Sequence, residues 1–200
     1  MGERDKGDNL KIRESGMPSE EQWGNFFEPK AVLQQLGIDR RINDVVDFGS
    51  GYGTFTIPAA ECISGKIYAL DIEPSMIRSI EKKAKEHSLH NVVPILRDFI
   101  TKGSGISDSS IDFVMLFNIL HLEQPTRLLK EAYRILKPGG KVGVIHWNYD
   151  PKTPRGPPMH IRPKPEQVRQ WAVSVGFVFE QQLDLKPYHY AMVLRKPIQK

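Results

Sequence analysis

Apolar residues fall along this chain in two alternating patterns: short dense runs, and longer stretches where they recur every third or fourth position. Dense runs at Ile42 to Phe48, Lys66 to Asp71, Val92 to Leu96, Ile111 to Phe117 and Lys141 to Trp147 read as strands. The run from Ile111 is nearly unbroken, as in a strand buried on both faces. Helical spacing predicts helices over Phe55 to Ile63, from Pro74 with Ile77, Ile80 and Ala84 on one face, and over Pro125 to Lys137, where Pro138-Gly139-Gly140 is a stop. The Gly- and Ser-rich stretch from Asp98 to Asp108 reads as loop. Alternating strands and helices imply a parallel sheet with right-handed crossovers.

The two ends depart from this alternation. Residues 1–17 are polar and without period, the composition of a mobile tail, and order is expected from Pro18. Ser19 and Gln22 have capping-box spacing ahead of Trp23, Phe26 and Phe27, and a second short helix carries Val32, Leu33 and Leu36 before Gly37. Beyond a last helix through Val168, Trp171, Ala172 and Val175, the runs Phe177 to Leu185 and Tyr188 to Arg195 lie so close that they predict an antiparallel hairpin at the sheet edge. Between them and the fifth strand, residues 150–165 hold six prolines among Lys152, Arg155, Arg162 and Lys164. So much proline predicts a stiff extended segment, either a lid facing the substrate or a surface crossover.

Composition narrows the class. Two hundred residues suit one domain, expected over 18–200, with a sheet covered on both faces. A net charge of +4 with interspersed acids is weak ground for nucleic acid, so no DNA partner is expected, and it is compatible with an anionic small substrate. Cys62 is the only cysteine, which excludes an internal disulfide and a multi-cysteine metal site and favours a reducing cytoplasm. No apolar run approaches a membrane span and the N-terminal stretch lacks an apolar signal core, so a soluble monomer or homodimer with no metal is expected.

The chemistry starts at Val45-Val46-Asp47-Phe48-Gly49-Ser50-Gly51-Tyr52-Gly53-Thr54, a strand running into three glycines at alternate positions. Such a turn lets backbone touch a nucleotide-like ligand. A dinucleotide fingerprint would need its third glycine where Thr54 stands, and the carboxylate of Asp47 would repel a pyrophosphate but suit an ammonium. With YALDIEPSM and LLKEAYRILKPGGKVGVIHW, this stretch resembles the class I S-adenosylmethionine-dependent methyltransferases, nearest in style to the ubiquinone and menaquinone biosynthesis type.

The resemblance implies a three-layer, Rossmann-like α/β sheet of seven strands, order 3-2-1-4-5-7-6 with the last antiparallel, and methyl transfer from S-adenosyl-L-methionine to a small-molecule acceptor. Methylation of a protein or RNA side chain, or non-catalytic cofactor binding, is the competing reading. It implies that Gly49, Ser50, Gly51, Tyr52 and Gly53 run beside the methionine and ribose, that Asp47 holds the amino end, and that Asp71 accepts both ribose hydroxyls. Ile72 and Met76 would then pack on adenine, Asp98-Phe99 would meet its amino group, and the Asn118 backbone would face the cofactor. Helices over 18–37 would cap the substrate pocket, bringing Trp23 and Phe27 to it. His121 and His146, at or beyond strand ends, are candidate general bases near neutral pH or packing histidines. Trp147 is an aromatic wall or core packing, and Arg155 and Arg162 are candidate substrate contacts in the Pro-rich segment.

Overall fold

The computed structural model describes residues 26–198, so the expectations for the tail, for the Ser19 cap and for Trp23 lie outside the described residues. In chain order the elements are α1 (Pro29–Gln35), β1 (Val45–Phe48), α2 (Thr56–Cys62), β2 (Ile67–Asp71), α3 (Pro74–Glu86), β3 (Val92–Leu96), α4 (Phe99–Lys102), β4 (Ile111–Phe117) and α5 (Pro125–Ile135). Then come β5 (Leu136–Trp147), a single 3-10 turn (Met159–Ile161), α6 (Pro165–Val175), β6 (Val178–Leu185) and β7 (His189–Arg195). The seven strands form one sheet in the order β3-β2-β1-β4-β5-β7-β6. β3, β2, β1, β4 and β5 run parallel, while β7 is antiparallel to both β5 and β6.

Side chains of the central strands alternate between two cores, because successive residues of a strand point to opposite faces. On one face Val46, Phe48, Val114, Leu116, Val144, Tyr190 and Met192 meet Leu128, Leu129 and Ala132 of α5 and Val168 and Ala172 of α6. On the other, Val45, Met115, Phe117, Ile145, Trp147 and Val193 meet Leu33 of α1 and Ala59 and Ala60 of α2. The layers are therefore helix, sheet, helix.

Two stretches differ from the sequence reading. The segment after β3 is not all loop: Asp98 caps a one-turn helix, accepting from Ile100 N at 3.2 Å and Thr101 N at 3.1 Å. And α5 stops at Ile135, with Leu136 already extended and paired to Ile111. Lys137 precedes a proline, which disfavours helical backbone there, so the Pro-Gly-Gly stretch is carried as an irregularity before Lys141 pairs with Phe113.

Candidate active site

At the carboxyl end of β1 the chain turns through Gly49, Gly51 and Gly53, all with positive φ (70°, 53° and 80°). Gly49 N and Ser50 N both donate to Leu70 O, at 2.8 and 3.1 Å, which pins the turn to the end of β2. A side chain on Gly49 would start 2.6 Å from Ile119 Cδ1, so this glycine lets the segment after β4 lie on the turn. Gly51 N donates to Asp71 Oδ2 at 2.8 Å, and Glu73 N donates to Asp71 Oδ1 at 3.0 Å. Lys83 Nζ donates to Tyr52 O at 2.7 Å, tying the turn to α3. Glycine turn and Asp71 are thus joined into one hydrogen-bonded unit, so the structure brings together residues that the resemblance assigned to one site.

Asp47 lies beneath this turn, 3 % exposed, and accepts from Thr56 Oγ1 at 2.6 Å. Burial pushes its carboxyl up to about 7, the Thr56 hydrogen bond opposes this, and the nearby Asp71 carboxylate adds to it. Burial raises Asp71 as well, against the backbone donors of Glu73 and Gly51. Two buried acids thus lie near this end of the sheet, and an ammonium beside Asp47 would favour its charged form. Ile72 is open to solvent beside Asp71, whereas Met76 is buried in α3 and Phe99 sits in the core, edge-on to Phe48 at 5.1 Å. Both carboxylate oxygens of Asp98 bond within its own helix cap, Oδ2 accepting from Thr101 Oγ1 at 2.7 Å.

Across the turn, at the carboxyl ends of β4 and β5, is a polar cluster of another kind. The buried side-chain polar atoms without a hydrogen bond, among the described residues, come from Asn118, His121, His146 and His189. Each of these lies just after β4, at the end of β5, or at the start of β7, where His189 pairs with Trp147 and Tyr190 with His146. Asn118 adopts φ 53°, a left-handed conformation in a non-glycine residue, and its N–H donates to Ile145 O at 2.7 Å. His121 and His146 meet edge to face, ring centroids 5.6 Å apart.

The histidines are not alike. His146 is fully buried, stacked 6.3 Å from Tyr190, and burial keeps it neutral far below its usual range, with the Arg162 guanidinium, and His121 and His189 whenever they are protonated, pushing the same way. His121 is half-buried, and desolvation lowers it to about 4. On the opposite face of the sheet His189, which the sequence reading did not single out, lies 4.1 Å from Trp147 and 4.4 Å from Phe27. Trp147 is 2 % exposed and Phe27 8 %, so both are packed into this second core. Arg155 is exposed, and Arg162 is turned inward onto the backbone of its own loop. No group of three or more His, Cys, Asp or Glu among the described residues could hold a metal ion, and no helix among them is long and apolar enough to cross a membrane.

Comparison with known proteins agrees with this architecture. Residues 45–140 match the family described as "Methyltransferase domain". A demethylmenaquinone methyltransferase of Geobacillus sp. (strain WCH70) is 35 % identical over 100 residues, covering 48 % of this chain and 42 % of that protein. The matched region therefore spans about half the length of such relatives. A SAM dependent methyltransferase from Aquifex aeolicus superposes with a TM-score of 0.78 at 23 % identity, covering 95 % of this chain and 99 % of that one. The Haemonchus contortus phosphoethanolamine N-methyltransferase 2, solved in complex with S-adenosyl-L-methionine, gives a TM-score of 0.72 at 16 % identity, covering 85 % and 52 %. At these identities the two structures speak for the fold.

Proposed function

We propose that this chain, which carries the methyltransferase domain and the sheet of the class I S-adenosylmethionine-dependent methyltransferases, transfers a methyl group from S-adenosyl-L-methionine to a small-molecule acceptor. The observation that carries this reading is the rigid unit of glycine turn and Asp71, set at the carboxyl edge of the sheet where strand order reverses between β1 and β4. The residues present suit the cofactor. Asp71 offers a fixed carboxylate for a pair of hydroxyls, the positive φ of Gly49, Gly51 and Gly53 lets the turn stay tight at the strand end, and an amino-acid ammonium would favour the charged form of the buried Asp47. Bound there, the cofactor supplies an electrophilic methyl on a sulfonium.

The chain's own residues then have three tasks. Asp71, Asp47 and the turn hold the donor, with Ile72 and Met76 beside the base. The Asn118 and Ile119 segment, lying on Gly49, joins the donor side to the histidines. His121, neutral at physiological pH, accepts a hydrogen bond from the acceptor and takes its proton only as the developing charge of transfer makes that proton acidic. His146 lies behind His121 and positions it. Similarity to demethylmenaquinone methyltransferases supports a reduced, hydroxylated ring as the acceptor class to test first.

The test is formation of S-adenosylhomocysteine when the protein is supplied with S-adenosylmethionine and chemically reduced demethylmenaquinone, beside peptide and RNA pools. Turnover with the small acceptor is expected. Tight cofactor binding with no turnover on any acceptor would make the protein a non-catalytic binder, and turnover confined to peptide or RNA would overturn the acceptor class.

A further inference from the structure

Arg162 is 6 % exposed, and its guanidinium is directed not at an acid but at the oxygens of a single loop. Nη1 donates to Asn148 O at 3.0 Å, Asp150 O at 3.3 Å and Thr153 Oγ1, while Nη2 donates to Arg155 O at 3.2 Å and Pro157 O at 2.9 Å. Nε adds a second bond to Pro157 O at 3.2 Å. A planar fork with five N–H donors can gather so many acceptors; an ammonium with three cannot. The oxygens come from both ends and the middle of 148–157, a segment whose prolines prevent it from using regular secondary structure to bond itself.

The gathered loop rests on both faces of the sheet at once. Gly156, at φ 117°, lies so close to Trp147 that a side chain there would start 2.9 Å from its Cγ and 2.7 Å from Arg162 Nη2. Seven residues further on, Pro163 O accepts from Tyr190 OH at 3.1 Å, and Tyr190 stacks on His146. Trp147 and His146 are neighbours in β5 that point to opposite faces, so one clasped loop reaches both the aromatic core around His189 and the histidine pair. Asn148 N, bonded to Tyr188 O at 2.8 Å, anchors its start to the β6–β7 hairpin.

We propose that Arg162 is a positioning residue for the acceptor site: it clasps residues 148–163 into a preformed strap that fixes one wall of the site beside Trp147 and the Tyr190–His146 stack. The strap acts by shape. Its guanidinium is occupied by the loop and does not contact the acceptor, and Arg155, although exposed, contributes its carbonyl. Because a preorganised wall lowers the ordering cost of binding, loosening it weakens acceptor binding while leaving the donor cradle across the sheet intact. The proposal rests on the methyl-transfer reading above, but its physical readout does not.

The experiment compares the full chain with R162A, R162K and G156A. Acrylamide quenching of Trp147, measured with Trp23 and Trp171 replaced by Phe in every sample, is expected to rise in all three variants, and calorimetry with S-adenosylhomocysteine to give an unchanged affinity. With reduced demethylmenaquinone as probe, KM is expected to rise about tenfold or more in R162A and R162K with a smaller change in kcat. Millimolar guanidinium should restore the R162A KM in part, a rescue that general destabilisation would not give. G156A keeps Arg162 but lifts the strap from the indole, so it tests the seat if R162A does not fold. Unchanged quenching and KM in G156A and R162K, or equal loss of donor affinity, would overturn the proposal. Raised quenching without turnover in any sample, wild type included, would leave the strap standing and remove the methyl-transfer reading.

Discussion

Replacing Asp47 by Asn should make the ligand-free protein more stable and the cofactor complex weaker, and the size of the first effect follows from burial. The carboxyl moves from 3.8 to about 7 on folding, so the folded state binds the proton more tightly than the unfolded chain. A folded pKa raised above the unfolded value means stability that is full below the unfolded pKa and is lost as pH rises through the folded one. About three pKa units at 1.36 kcal/mol each give a ceiling of roughly 4 kcal/mol of stability absent from the wild type above pH 7. Asn keeps an oxygen for Thr56 Oγ1 and carries no charge, so it restores most of this. For a chain of this length roughly 2–4 °C accompany each kcal/mol, which makes the expected gain about 5–10 °C at pH 8. At pH 4, where Asp47 is itself protonated, the gain should be near zero. Thermal melts of both proteins without ligand from pH 4 to 8 measure it, and calorimetry with S-adenosylhomocysteine at pH 8 should show D47N binding about ten to a hundred times more weakly. A gain independent of pH, or a loss of stability at pH 8, would refute the burial argument; undiminished cofactor affinity would remove Asp47 from the ammonium site.

Asp71→Ala should lower cofactor affinity by roughly tenfold to a thousandfold, since two hydrogen bonds to a charged acceptor are worth ~1.5–3 kcal/mol each, and unchanged calorimetry would exclude it from the ribose. Gly51→Val should abolish cofactor binding while circular dichroism still reports a folded chain; normal binding would mean the turn is not the cradle. His121→Gln should cut turnover by ~10²–10⁴ with donor affinity unchanged. The wild-type rate should carry its acid limb near pH 4 instead of 6–7, because desolvation holds the imidazole neutral down to about 4, and a limb at 6.5 would contradict that burial. In D47N, with Asp71 as the remaining raised acid acting the other way, the lowered His121 and His189 (to about 4 and about 3) should make stability fall as pH drops from about 6.5 towards 4, read by the same melts.

The sheet was legible because β1, β4 and the end of β5 are buried on both faces and the helices on one, so that density and period mark these elements. Asp71 and the glycine turn were legible because the chemistry is local, held within one β-turn-α-β segment. The departures have physical causes too. Asp98 followed by Ile100 and Thr101 is a cap whose strength depends on backbone geometry, and a Gly- and Ser-rich stretch hides it. Lys137 before Pro138 carried the signal for an earlier end of α5, outweighed by the apolar spacing around it. Sequence cannot say which way an arginine in a Pro-rich loop points, so Arg162 reads as a surface contact until its inward fork is seen. His189 was missed because its place beside Trp147 is set by antiparallel register across a long connection, and the register of a hairpin against its neighbour is not a local property.

The insertion of β7 antiparallel between β5 and β6 has a consequence for how the molecule comes into being. The residues proposed to hold the donor are all synthesised once the chain has passed Asn118, whereas His189 and Tyr190 arrive with the final hairpin, about seventy residues later at a synthesis rate of roughly 5–20 residues per second. During those seconds an unpaired edge runs along β5, and on the proposed reading the residues that hold the donor are present before those of the acceptor wall. The last strand to emerge both closes that edge and delivers Tyr190, whose hydroxyl holds the strap at Pro163 O, so on the proposed reading the acceptor wall is completed together with protection from edge-to-edge aggregation.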